Sequence, residues 1–118
     1  MREAPAIDGY GGGGFRIGGE RIQGSVLILD DVVCPWPVGG VHELTPAAFD
    51  QVLAVGHQAV EFVLLGTGKE TAPPPKAVRA ALREAGLGLE LMNTIEAVKL
   101  YNVLAQDGRR IAAALIAV

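Results

Sequence analysis

The chain has 118 residues, of which 50% are hydrophobic and 19% charged, and its formal net charge is −3. This excludes intrinsic disorder, which needs low hydrophobicity and high net charge, and it leaves enough apolar material for the core of one domain. The acidic balance provides no basic footprint for nucleic acid or an anionic membrane surface.

Residues 1–14 end in Gly11-Gly12-Gly13-Gly14 and read as a flexible glycine-rich arm, because glycine has high backbone entropy and nothing to pack. A single domain is expected over residues 15–118. Gly18-Gly19 lies between Phe15-Arg16-Ile17 and Arg21-Ile22, the pattern of a two-residue hairpin turn. Val26 to Leu29 is unbroken apolar and predicts a buried strand; Asp30-Asp31 ends it, and Val32-Val33-Cys34 is a short extended piece closed by Pro35-Trp36-Pro37.

Thr45-Pro46 predicts the start of a first helix, with Thr45 as cap and Pro46 at the first helical position, ending at Gly56. Val60 to Leu65 predicts a strand buried on both faces, followed by Gly66-Thr67-Gly68. A second helix follows Pro73-Pro74-Pro75 and ends at Gly86. Leu87 to Met92 alternates, as an edge strand does. Asn93 and Glu96 have the spacing of a helix cap and its returning carboxylate, and Thr94 is an alternative cap. The third helix reaches about Gln106, and Ile111 to Val118 predicts the last strand. The order implies an α/β fold: a single three-layer domain with a mixed central sheet, in which an N-terminal β-hairpin precedes a β-α-β-α-β run.

One cysteine, Cys34, and two histidines, His42 and His57, make no metal-ligand signature, so no metal, cofactor or catalytic constellation is expected. The longest apolar run, Ile111 to Val118, has eight residues, against the roughly 20 of a membrane helix. No charged-then-apolar leader opens the chain. A cytoplasmic chain without membrane insertion is the expectation.

Four places invite a functional reading. Gly66-Thr67-Gly68 follows a strand, where α/β sheets bind ligands, and its N–H groups with the Thr67 hydroxyl could hold an anion; a turn requiring glycine torsions is the simpler reading. Asn102 is a poor helix former within a predicted helix; it either bonds a loop end such as Gly66-Thr67-Gly68 or touches a ligand. Arg109, at the start of the last strand, is either a bidentate contact for an acidic group or a solvated strand end. Trp36 between prolines is either packed over the sheet end or an anchor for a partner. If the last strand runs parallel to Val60–Leu65, Arg109 falls at the far end, and Gly66, Thr67 and Asn102 are expected to cluster.

Several short motifs, in order, resemble one family. They are Gly14-Phe15-Arg16-Ile17, Gly24-Ser25-Val26-Leu27-Ile28-Leu29, Trp36, Leu65-Gly66-Thr67-Gly68, Glu90-Leu91-Met92-Asn93-Thr94, Tyr101-Asn102, Asp107-Gly108-Arg109-Arg110 and Ala113-Ala114-Leu115-Ile116. They resemble the uncharacterised-domain family that includes mitochondrial NADH dehydrogenase (complex I) assembly factor 3 and the adipogenesis-associated domain protein. The resemblance implies an α/β domain with a mixed sheet. It implies a non-catalytic interaction or assembly factor with a protein partner, respiratory complex I subunits being the implied client. Mitochondrial members carry a presequence, and this chain starts almost at the domain, so a bacterial, cytoplasmic relative is expected. The competing function is a small-molecule-binding protein or enzyme using a strand-end cleft at Gly66-Thr67-Gly68 and Asn102.

Overall fold

The computed structural model describes residues 4–118. Among them, five strands precede the first helix: β1 (Ile7–Gly11), β2 (Gly14–Ile17), β3 (Glu20–Gln23), β4 (Ser25–Leu29) and β5 (Val32–Trp36). Then come α1 (Asp50–Val55), β6 (Phe62–Gly66), α2 (Lys76–Glu84), β7 (Gly88–Met92), α3 (Thr94–Gln106) and β8 (Ala112–Leu115). Strands β1-β2-β3 form a small antiparallel sheet. The main sheet has the order β5-β4-β8-β6-β7; β6 is parallel to both its neighbours, and β4 is antiparallel to β5 and β8. The main sheet is therefore mixed, with β5 and β7 at its edges.

The expected arm needs correction over residues 7–14. Ile7–Gly11 is a strand, and Gly11 pairs with Gly14 across a two-residue turn. Gly12 and Gly13 both have positive φ, as do Gly18 and Gly19 at the next hairpin. Hairpin turns of this kind require φ > 0 at both central residues, so the glycines direct the chain rather than loosen it. Asp30 and Asp31 make the same kind of turn between β4 and β5. Residues 1–3 of the expected arm lie outside the described residues.

Alternation along each central strand divides the core. Leu27, Val63, Leu65, Ala112 and Ala114 face a layer built from α1, α2 and the loop after β5. Val26, Ile28, Leu64, Ala113 and Leu115 face α3 and the small sheet. The small alanines of β8 suit a central strand covered on both sides, where helices approach closely. The first helix is shorter than its sequence suggests. Pro46–Phe49 is a 3-10 turn, the Thr45 side chain makes no capping bond, and regular α-helix begins at Asp50. Gly56, at φ 73°, ends it as expected. The last strand is also shorter than the expected Ile111 to Val118, covering Ala112–Leu115.

Candidate functional site

Gly66-Thr67-Gly68 leaves β6 and is tied down at once. The Gly66 carbonyl accepts from Ile116 N (3.0 Å), and Thr67 N donates to the Met92 carbonyl (2.9 Å). The Thr67 hydroxyl donates to the Glu70 carbonyl (2.6 Å) and accepts from Ala72 N (3.2 Å). Gly68 N donates to Thr94 Oγ1 (2.9 Å), while the Gly68 carbonyl accepts from Thr94 N (2.8 Å). Thr94 Oγ1 donates in turn to the Ile116 carbonyl (2.7 Å). An anion would have to displace these bonds. Asn93 caps α3, its side chain accepting from Glu96 N (2.9 Å). Thr94 is thereby released to turn inward. Gly66 is needed for close approach: a Cβ there would stand 3.0 Å from Thr94 Oγ1 and 3.1 Å from Leu115 Cδ2.

Asn102 serves a different segment. Its Oδ1 accepts from Ile7 N and its Nδ2 donates to the Ile7 carbonyl, both at 2.9 Å. One amide side chain thus replaces a strand partner for β1. Beside it, Tyr101 Oη donates to the Pro5 carbonyl (2.7 Å). The expected cluster of Gly66, Thr67 and Asn102 is not formed. Helix α3 meets the Gly68 loop at its first residue, and Asn102 lies about 12 Å further along the axis at the ordinary helical rise. Asn102→Ala is expected to lower stability by about 1–3 kcal/mol, since both Ile7 groups lose their partner. Denaturation gives the magnitude. Amide exchange should rise more at Ile7 than at Leu64, whose exchange follows global unfolding; equal acceleration at both would show a global effect rather than loss of a local clamp.

Arg109 lies at the other end of β6. It donates to Glu61 Oε1 through Nε (3.0 Å) and an Nη (2.7 Å), and Arg110 N donates to Glu61 Oε2 (3.1 Å). Its guanidinium also stands 5.7 Å from the centre of the Phe62 ring. Because β8 is parallel to β6, residues that precede the two strands meet here, and Gly66 is at the opposite end. The Arg109 hydrogen bonds, followed by that from Arg110 N, hold the Glu61 carboxyl below its ordinary 4.5. The contribution of Glu61 to stability is therefore fully present above pH 4.5 and lost as pH falls through the lowered folded-state value. Both side chains are almost half exposed, so the effect is small. Glu61→Gln should be slightly less stable than the parent at neutral pH, and the gap should close in acid. A gap that does not change with pH would show that the charge is irrelevant.

Trp36 is packed. It is 5% exposed, its Nε1 donates to the Ala48 carbonyl (2.9 Å), and its ring meets Phe49 edge-on at 5.5 Å. In front of it opens a cleft of about 490 Å³, between β5 and the segment from Val38 to Gln51. Leu27, Trp36 and Ala48 give it an apolar floor, half-buried Cys34 lines it, and the acidic residues Glu43 and Asp50 line it too. Sequence reasoning found Trp36 and missed Glu43, Asp50 and Gln51. The available signal was their position on either side of Thr45-Pro46, directly after the Pro-Trp-Pro stop. Among the described residues, no group of three or more His, Cys, Asp or Glu could hold a metal ion, and no helix is long and apolar enough to cross a membrane.

The geometry can be set beside known proteins. The chain is 33% identical over 114 residues to the rat NADH dehydrogenase [ubiquinone] 1 alpha subcomplex assembly factor 3, which covers 97% of this chain and 61% of that protein. It thus spans about three-fifths of that relative's length. It is 38% identical over 112 residues to an uncharacterized protein of Rhodobacter capsulatus, covering 93% of this chain and 82% of that protein. A crystal structure from Bartonella henselae, described as an outer membrane protein, superposes with TM-score 0.88 at 33% identity over 97% of this chain and 95% of that one. A Bordetella pertussis solution structure, described as a Mth938-like domain, superposes with TM-score 0.81 at 23% identity, covering 95% of this chain and 85% of that one; it shares the fold. The family model described as "Protein of unknown function (DUF498/DUF598)" matches residues 7–116. The chain therefore belongs to the DUF498/DUF598 family, in which the sequence resemblance already placed it.

Proposed function

We propose that this chain is a non-catalytic interaction factor that helps assemble respiratory complex I, acting in the cytoplasm of a bacterium. The observation that carries this reading is 33% identity, over nearly the whole chain, to a protein named as an assembly factor of that complex. The strand-end groups offer additional support. Gly66, Thr67, Gly68 and Asn102 are engaged in internal hydrogen bonds, so the alternative of a small-molecule or enzymatic site there requires breaking them. The similar Rhodobacter protein supports a bacterial setting. Tagged protein should be isolated from its native host and its companions identified by mass spectrometry. Complex I subunits or subcomplexes are expected in the soluble fraction, and deletion of the gene should reduce assembled complex I on native gels. Full complex I assembly in the deletion strain would overturn the reading.

A further inference from the structure

We infer that the cleft beside Trp36 receives a short extended segment of a partner protein that carries a cationic side chain between apolar ones. The inference rests on the interaction role proposed above and names its surface. The cleft volume, about 490 Å³, falls in the range of roughly 300–1,000 Å³ typical of sites that bury a ligand. Among the described residues, its lining includes Glu43 and Asp50 and no Lys, Arg or His. Among the described residues, neither carboxylate forms an ion pair. Glu43 folds back over Gly39, where a Cβ would come within 2.8 Å of Oε2, so the bare glycine makes room for the carboxylate. An apolar floor under unpaired carboxylates selects a cation with apolar flanks, and it repels anions.

The position in the sheet argues for a chain segment. Among the described residues, β5 is an edge strand, paired only with β4. Cys34 and Trp36 share one face of β5 by alternation and both line the cleft, as Pro35 between them also does. A strand laid along the open edge of β5 would project every second side chain over that same face. Pro35 lacks an N–H, which breaks the donor row and disfavours a long, flat partner strand. A short segment anchored by side chains in the cleft fits both features.

Trp36 is the sole tryptophan of the chain, so its emission reports on the cleft directly. The probes are an octapeptide alternating valine with arginine and a counterpart with glutamate in place of arginine. Saturable change with the arginine peptide is expected, weakening as salt is added. The double variant Glu43→Gln/Asp50→Asn should bind about tenfold more weakly. Both side chains are exposed, so the fold is retained. A control, Glu20→Gln/Glu84→Gln, makes the same charge change elsewhere and should bind like the parent. Equal binding of the glutamate peptide, no loss in the cleft variant, or equal loss in the control overturns the inference. Partner capture separates it from the assembly role. Capture of complex I subunits equally by parent and cleft variant overturns the cleft while the interaction role stands. Capture of no host protein, with peptide binding intact, overturns the interaction role and with it the protein nature of the occupant.

Discussion

Leu64→Ala is expected to lower stability by about 2–5 kcal/mol, the range for truncating a large buried side chain whose surroundings relax only in part. Leu64 is fully buried on β6, a strand hydrogen-bonded on both sides. It belongs to the cluster that holds Ile28, Ala97, Val98, Tyr101 and Leu115, so the cavity would open between the main sheet and α3. The strand ladders on either side restrain collapse around that space, which favours the upper part of the range. Leu89 on the edge strand β7 is half-buried and provides the contrast. Its truncation should cost under about 2 kcal/mol. Urea denaturation of both variants tests the layering. A loss below about half a kcal/mol for Leu64→Ala would mean that β6 is not central.

The parts of the fold that were legible share a local cause. Hairpin chemistry at Gly18-Gly19 was readable because side chains alternate on both flanks. The same turn at Gly12-Gly13 was hidden, since Gly11 and Gly14 contribute no side chains to the alternation. What holds β1 is Asn102, 95 positions away in sequence, and no local pattern carries that. Asn102 did signal that it needed a bonding partner, being polar on a helix, but the polar group it serves could not be deduced from helical periodicity. Burial of Phe62 was overestimated for a similar reason. Its apolar run suggests full burial, yet it starts β6 and remains half-buried beneath the Arg109 guanidinium. At Trp36 the residue was readable and its surroundings were not. A cleft exists only once the 3-10 turns Val41–Glu43 and Pro46–Phe49 have packed beside β5.

Thr94→Val should cost roughly 2–6 kcal/mol, the sum of two buried groups losing their partners at about 1–3 kcal/mol each. Valine has nearly the shape of threonine, so the change removes a hydroxyl without opening a cavity. The hydroxyl is fully buried and bonded in both directions, accepting from Gly68 N and donating to the Ile116 carbonyl. With valine, a methyl group faces both, and neither can reach water. Thr94 thereby links three elements: the loop after β6, the start of α3 and the chain just beyond β8. Thr94→Ser keeps the hydroxyl, loses only a methyl, and should cost about 1 kcal/mol. Denaturation ranks the two variants, and amide exchange at Gly68 should accelerate in the valine variant alone. A valine variant as stable as the serine one would show that the hydroxyl does not latch the loop. The strand-end site would then be free to open, and the small-molecule reading of Gly66-Thr67-Gly68 would regain its footing.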